Sequence, residues 1–327
     1  MTGAILFTLI GLFAGISGVN DGGNLVGTFL PTRAIPPRFL IPVLVGSVAL
    51  GPLIFGTAVS HTIAVEIINF RQAGSAVLAA ALIAAILTLL VTWWLRIPSS
   101  TTIALAGGMV GATLLDGQAA LIHWGGVAKV VVGLFGSVIV GYIVAFLATR
   151  LLWRLLRDVS VAKPRQLGYV QIATLMVQGF AYGANDQEKA IGLMALDFTT
   201  AAGGHYHVTA AAIGLPLIFW TAGLLVGGWR IARTVGGHIF RIRPLHSLAV
   251  QASAAVTVMS AALLGLPVST TQTTDGSLFG LGSALAPRRV QWPTVLRLLI
   301  VWGTTLPLAL ALGIVVVNVM RLLHLGY

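Results

Sequence analysis

Long apolar stretches follow one another along almost the whole chain, separated by short segments that carry polar and basic residues. Each stretch holds about 20 residues or more, which as an α-helix is enough to cross a hydrocarbon layer roughly 30 Å thick. The pattern predicts an all-α polytopic membrane protein with about five transmembrane segments in each half. We place these segments at 3–32, 38–65, 73–95, 98–117, 121–149, 168–202, 207–228, 247–266, 267–287 and 293–320.

Two polar interruptions occur in the first half and return, in the same order, in the second. Gly18-Val-Asn20-Asp21 corresponds to Gly183-Ala-Asn185-Asp186, 165 residues later. Pro98-Ser-Ser-Thr-Thr102 corresponds to Pro267-Val-Ser-Thr-Thr271, 169 residues later. Helix breakers and polar residues at matching positions of two halves are typical of transporters that hold their substrate where broken helices meet. The sequence therefore predicts a transporter built from two repeats.

The placement of Lys and Arg predicts how the two repeats are oriented. Segments 150–165 and 230–243 hold five and four basic residues, so by the positive-inside rule both lie in the cytoplasm. The loop at 33–38 is basic, whereas its counterpart at 197–207 has no Lys or Arg. Equivalent loops thus carry opposite charge bias, which predicts inverted-topology repeats with both termini outside. The predicted units are a first inverted repeat at 1–149, a cytoplasmic basic linker at 150–167 and a second inverted repeat at 168–327.

The composition agrees with a chain that lies mostly in lipid. Of 327 residues, 57% are hydrophobic and 8% are charged, with a mean hydropathy of +0.97, whereas soluble domains have about 25% charged residues. The net charge of +11 lies mainly in the loops, so it orients the protein in the membrane and does not indicate a nucleic-acid partner. The absence of cysteine excludes disulfides and thiolate metal sites.

Asp21 and Asp186 are the carboxylates of the first motif in each half. A carboxylate in the hydrocarbon region costs about 2.5–3.5 kcal/mol, so its presence there indicates a function. Each follows an Asn, and the neighbouring glycines let the helix unwind and expose carbonyl groups. Such hard oxygen ligands suit Na⁺ or a proton carrier. The alternative is a polar kink between packed helices whose hydrogen bonds are satisfied internally.

Pro98 and Pro267 each begin a run of hydroxyl residues that precedes a Gly-rich helix. Proline fits the first turn of a helix, where its missing N–H costs nothing. The free N–H groups of a helix N-terminus, together with hydroxyls, form an anion site. Two such ends facing each other would hold a tetrahedral oxyanion without any Arg. The alternative is ordinary N-capping by Ser and Thr.

The motifs resemble the signatures of the inorganic phosphate transporter (PiT) family over nearly the whole chain. The resemblance rests on Gly18-Val-Asn-Asp-Gly-Gly-Asn24, Gly183-Ala-Asn-Asp-Gln-Glu-Lys-Ala-Ile-Gly192 and Gly265-Leu-Pro-Val-Ser-Thr-Thr271, with Arg33 after the first. It implies a transporter of the cell membrane, not an enzyme, that imports inorganic phosphate by cation symport with an elevator-like or rocking movement, without a cofactor and as a homodimer. The phosphate ligands that the resemblance implies are Ser100, Thr101, Thr102, Ser269, Thr270 and Thr271. The cation-linked residues that it implies are Asn20, Asp21, Asn24, Asn185 and Asp186.

Lys189 and Asp275 join the cation-coupling residues as departures from the usual family pattern. Lys189 stands where many members have Asn, and its segment is most similar to that of bacterial proton-coupled low-affinity phosphate carriers. Because residues three apart on a helix are neighbours, Lys189 is expected to place its ammonium beside Asp186 and to replace a bound cation there. Asp275 is an acid where the pattern usually has a small or hydroxyl residue. These features favour H⁺ over Na⁺ as the coupling ion, with sodium at Asp21 and Asp186 as the alternative.

Other functions differ in substrate or in driving ion. A sodium-coupled phosphate symporter and a permease for sulfate or another tetrahedral oxyanion stay open, as does transport of phosphate as a metal complex. Because sulfate has no proton to donate near neutral pH, the motif carboxylates favour phosphate. An intramembrane enzyme is disfavoured, since the chain has no Cys, no H-E-x-x-H and no His beside the motif serines.

Overall fold

The protein is helical throughout the part that its computed structural model describes, which comprises residues 3–29, 35–95, 99–115, 118–155, 164–238 and 244–325. Within these ranges the β-structure consists of one isolated bridge between Ile68 and Ile122. The all-α prediction is therefore confirmed. Arg33, Pro98 and residues 156–163 of the basic linker lie outside the described residues.

The helices follow the predicted apolar segments. Those of the first half are α1 (Gly3–Ser17), α2 (Gly23–Phe29), α3 (Pro37–Phe55), α4 (Ala58–His61), α5 (Phe70–Trp94), α6 (Thr101–Leu115) and α7 (Trp124–Leu155). Those of the second half are α8 (Pro164–Tyr182), α9 (Glu188–Ala201), α10 (Ala210–His238), α11 (Pro244–Leu263), α12 (Thr270–Leu285) and α13 (Trp292–Leu322). Short 3₁₀ turns precede α7 and α13, at Ala119–Leu121 and Pro287–Arg289.

Both Asn-Asp motifs lie in π-helical turns. Gly18–Gly22 joins α1 to α2, and Gly183–Gln187 joins α8 to α9. A π-helical turn interrupts the regular hydrogen-bond spacing of an α-helix and often marks a functional site. The two copies of the motif thus share one local conformation. A third turn of this kind, Thr62–Glu66, follows α4 and carries neither motif.

Six helical segments of the described chain are long and apolar enough to cross a membrane. The helices that follow the hydroxyl runs are shorter: α6 has 15 residues and α12 has 16, so they extend about 22–24 Å. Ser269, just before α12, has extended backbone, so segment 267–287 combines an extended part with a helix. The ten-segment topology and the inverted orientation of the halves stay predictions. The six segments are Gly3–Phe29, Arg38–Phe55, Gln72–Trp94, Trp124–Arg154, Ala210–Ala232 and Trp292–Leu322.

Gly18 and Gly183 begin the two π-helical turns and let a neighbouring helix approach at backbone distance. A Cβ at Gly18 would collide with the carbonyl oxygen of Trp220 on α10, and a Cβ at Gly183 would collide with that of Val48 on α3. The two contacts correspond to each other, because α3 and α10 each follow the interrupted helix of their half. Close packing against the equivalent helix of the other half therefore fixes the position of each motif.

Gly18→Ala and Gly183→Ala should each destabilise the protein by about 1–3 kcal/mol, because the added methyl group pushes two packed backbones apart. Gly46→Ala is the matched control, since a Cβ there meets nothing within 4 Å and alanine favours a helix by up to about 1 kcal/mol. Thermal unfolding midpoints of the purified proteins in detergent, compared with that of the wild type, measure the change in stability of all three variants. Equal unfolding midpoints would show that the close approach is dispensable.

Candidate functional site

Asp21, in the first π-helical turn, accepts hydrogen bonds from both hydroxyl runs. Its side chain is buried, with 2% of the residue exposed. Thr101 Oγ1, at the start of α6, donates to Asp21 Oδ2 at 2.9 Å, and Thr271 Oγ1, in the first turn of α12, donates to Asp21 Oδ1 at 3.1 Å. Ser17 Oγ adds a third donor to Oδ2 at 3.0 Å. One carboxylate thus joins two segments that lie far apart in the sequence.

Ser17, Tyr182 and Trp220 form a brace around Asp21 that sequence reasoning missed. Trp220 Nε1 donates to Tyr182 OH at 2.8 Å, and that hydroxyl lies 3.4 Å from Asp21 Oδ2 and 3.2 Å from Ser17 Oγ. Ser17 and Tyr182 immediately precede Gly18 and Gly183, so they occupy equivalent positions of the two motifs. This shared polar position next to each motif was the signal that would have identified them.

Asp186, in the second π-helical turn, has a different set of partners. Lys189 Nζ forms an ion pair with Asp186 Oδ1, as the i,i+3 spacing predicts, and both side chains are buried. The other oxygen, Oδ2, accepts the backbone N–H of Thr270 at 3.2 Å. Asp186 therefore lies at the N-terminus of α12, where a carboxylate is stabilised by free N–H groups and the helix dipole.

The two motif asparagines also differ in their contacts. Asn185 holds the extended segment before α12: its Nδ2 donates to Leu266 O and its Oδ1 accepts from Val268 N, both at 3.0 Å. Asn20 Nδ2 donates within its own helix to Ile16 O at 3.1 Å. The side-chain oxygens of Asn20 and Asn24 are buried and have no hydrogen-bond partner among the described residues. The first half therefore retains unpaired oxygen atoms near Asp21, whereas the second half has an ammonium.

The Ser and Thr side chains of the two hydroxyl runs make different kinds of contact. Ser100 Oγ accepts from Ile103 N at 3.2 Å and Ser269 Oγ accepts from Gln272 N at 3.4 Å, so both serines are N-caps, which is the alternative considered from the sequence. Thr102 Oγ1 donates to Val268 O at 2.8 Å and so ties the two runs together. The buried Thr270 hydroxyl has no partner in the described structure. The six residues of the two runs are all buried.

Asp275 lies apart from this hydrogen-bonded centre, one helical turn beyond Thr271. It is buried, and neither carboxylate oxygen has a hydrogen-bond partner among the described residues. The structure thus gathers the hydroxyl runs, both Asn-Asp pairs and Lys189 around one point, and leaves Asp275 beside it.

The electrostatics of the centre limit what it can bind. With Asp21 and Asp186 ionised and Lys189 protonated, two negative charges face one positive charge. The N-termini of α6 and α12 contribute partial positive charge and N–H groups. Because an added anion raises the negative charge in a site of low dielectric, a proton or metal cation must accompany it. The arrangement suits coupled binding of an anion and a cation.

A profile of the phosphate transporter family matches residues 17–313. The chain belongs to the phosphate transporter family. Its predicted resemblance to inorganic phosphate transporters is therefore confirmed, and it is a multi-pass membrane transport protein, not an enzyme.

Curated relatives support this family, and a solved structure shares its fold. A protein of Bacillus subtilis (strain 168) named probable low-affinity inorganic phosphate transporter is 32% identical over 316 residues, which cover 94% of each chain. The corresponding values for Rhizobium meliloti (strain 1021) are 29% over 297 residues, covering 90% of this chain and 89% of the relative. A structure titled "The sodium-dependent phosphate transporter" superposes with a TM-score of 0.85 over 98% of this chain and 99% of that chain, at 23% identity. That likeness establishes the fold.

Thr101→Val and Thr271→Val should each destabilise the protein by about 1.5–3 kcal/mol, because each removes a hydroxyl that donates to a buried carboxylate. The two effects should not add, since the hydroxyls share one acceptor. Thr273→Val is the control, because its hydroxyl donates only to the backbone oxygen of Ser269 in its own helix. Unfolding midpoints in detergent provide the measurement. Losses no larger than that of Thr273→Val would show that Asp21 does not depend on these donors.

Proposed function

We propose that this member of the family imports inorganic phosphate together with protons, and that phosphate binds where the N-termini of α6 and α12 meet. The ligands are the hydroxyl and N–H groups of the two runs. The buried Thr270 hydroxyl supports this assignment, since it has no hydrogen-bond partner in the described chain and a buried polar group without one is costly. The names of the relatives agree with phosphate as the substrate.

The carboxylates favour phosphate over sulfate. Hydrogen phosphate carries an O–H that donates to the ionised Asp186, whereas sulfate presents only acceptor oxygens near neutral pH. Two acceptors brought together leave an unpaired, repulsive contact, which discriminates strongly in a buried site. The proposal therefore assigns Asp186 a role in selectivity and Asp21 a role in coupling.

The buried ion pair between Lys189 and Asp186 is the observation that carries the proton-coupling proposal. The ammonium is fully buried and does permanently what a bound metal cation would do transiently, because it neutralises Asp186 next to the anion site. Asp21 has hydroxyl donors and no ion-pair partner of its own among the described side chains. A proton on Asp21 is the smallest change that removes the remaining negative charge before phosphate enters.

Sodium coupling is the second candidate, and a specific observation favours it. The unpaired side-chain oxygens belong to Asn20, in the same π-helical turn as Asp21, and to Asn24, at the start of α2. Together with Asp21 they offer the oxygen ligands that a hard cation prefers. On this alternative the first half binds one Na⁺ while Lys189 occupies the second site.

We propose the orientation and the assembly on separate grounds. The bias of Lys and Arg supports both termini outside, and the family resemblance supports a homodimer. To test the orientation, tags are placed on both termini, and the reconstituted protein is treated with a protease that cannot cross the membrane.

Thr270→Val should weaken phosphate binding by about 10- to 100-fold, because a hydroxyl bonded to a charged partner contributes about 1.5–3 kcal/mol. Folding should be little affected, since that hydroxyl makes no bond within the described structure. Thr273→Val serves as the control on the same helix. Phosphate uptake into proteoliposomes, with arsenate or sulfate as competitor, provides the measurement. Arsenate should compete well and sulfate poorly; equal competition by sulfate would overturn the phosphate assignment.

Lys189→Asn should abolish most uptake without Na⁺ and make the remainder Na⁺-sensitive, because Asp186 then needs another cation. Wild-type uptake should rise with an inward proton gradient and ignore Na⁺. Na⁺ and pH gradients imposed separately on proteoliposomes distinguish these cases. Lys129→Asn is the matched control, since Lys129 pairs with Glu66 in a partly exposed ion pair away from the motifs. Strict Na⁺ dependence of the wild type would favour the second candidate.

A further inference from the structure

Helix α12 has two faces with different roles. One face packs against α7: Ser277 Oγ donates to Gly141 O at 3.3 Å, and a Cβ at Gly276 would lie 2.6 Å from Val138 O. At 100° per residue, Asp275 projects from the opposite side, together with Thr271 one turn earlier. Because Thr271 donates to Asp21, this second face is the one directed toward the central site.

Asp275 is buried, with 1% of the residue exposed, and lacks partners for both carboxylate oxygens in the described structure. The described titratable groups of the helices around α12 form no ion pair or hydrogen bond with it. Tyr182 is engaged with Asp21, Ser17 and Trp220. The groups that make no such contact are Lys129, Tyr142, Arg150 and Arg154 on α7, Tyr182 on α8, and Arg288 in the turn Pro287–Arg289.

An ionised carboxylate in such surroundings is unfavourable. Burying a charge without a partner costs several kcal/mol, and the group avoids this cost by taking up a proton. A metal ion would need further oxygen or nitrogen ligands, and no group of three or more His, Asp or Glu suited to a metal occurs in the described chain. A neutral carboxylic acid is therefore the form that fits this position.

The position of Asp275 along α12 indicates the side of the membrane to which its proton would be released. It lies four residues beyond Thr271, about 6 Å along the axis, on the side leading to the basic turn Pro287–Arg289. The positive-inside rule places that turn in the cytoplasm. Asp275 thus stands between the central site and the predicted cytoplasmic face.

We propose that Asp275 is a second proton site of the transport cycle, which releases its proton to the cytoplasm when the inner half of α12 becomes accessible to water. The step breaks the carboxyl O–H bond and transfers the proton to water, leaving a carboxylate. A proton taken up in the outward-facing state restores the acid. This inference rests on the proposed proton coupling and adds a site outside the two Asn-Asp motifs.

Asp275→Asn tests the inference, because the amide resembles the neutral acid in size and cannot exchange a proton. Proton and phosphate fluxes are measured in the same proteoliposomes, with Glu66→Gln as a carboxylate-to-amide control in a partly exposed ion pair. We expect the number of protons per phosphate to fall by one in Asp275→Asn and to stay unchanged in Glu66→Gln. Phosphate exchange at equal pH on both sides should persist. An unchanged proton-to-phosphate ratio in Asp275→Asn would overturn the inference.

Infrared difference spectra supply a readout that does not depend on transport. The wild type should show a carboxylic-acid carbonyl band that changes with pH and is missing in Asp275→Asn, or in Asp275→Ser should the Asn variant not fold. A band that is absent, or that never changes, would also overturn the inference. Absence of any proton flux in the wild type would instead refute the proposed function. Normal wild-type flux with an unaffected Asp275→Asn would refute only the role of Asp275.

Discussion

The buried Asp21 carboxylate is the constraint on which the centre of this protein depends. A charge in the hydrocarbon region must find donors, and Asp21 finds them in Thr101 and Thr271, from opposite halves of the chain. For these hydroxyls to reach one carboxylate, the segments before α6 and α12 must both enter the interior. The glycines of the π-helical turns permit the close packing that holds Asp21 in place.

The two halves repeat the same motifs but differ in charge. In the first half, Asp21 is surrounded by hydroxyls, and the oxygens of Asn20 and Asn24 are unpaired within the described structure. In the second half, Lys189 supplies a permanent positive charge to Asp186. A symmetric site would need two mobile cations to balance its two carboxylates. This site needs fewer mobile cations, because Lys189 already supplies one positive charge. This asymmetry is the physical basis of the proposed proton coupling.

Two helices that begin at the central site are shorter than the apolar segments that could cross a membrane. The six long apolar segments are long enough to cross a membrane, while α6 and α12, which begin at the central site, are short. A helix that starts at the centre offers its free N–H groups there, which a continuous membrane-spanning helix would use in its own hydrogen bonds. In the proposed function, these short helices supply the N–H groups of the anion site.

Local spacing was sufficient to predict features that depend on a few neighbouring residues. The all-α architecture follows from apolar segment length, and the ion pair of Lys189 with Asp186 follows from positions three apart on a helix. The repeated motifs located most of the central residues. The N-capping roles of Ser100 and Ser269 were also foreseen, although only as an alternative.

Only the tertiary structure decided which of the distant groups meet. The contact of Thr271 with Asp21 spans 250 residues, and the brace of Ser17, Tyr182 and Trp220 joins three helices. No periodicity records such pairs, because they arise from how glycine-lined helices pack against one another. The same packing decided that Asn185 pairs fully with backbone groups while Asn20 keeps an unpaired oxygen, a difference between two identical Asn-Asp motifs that the sequence could not show.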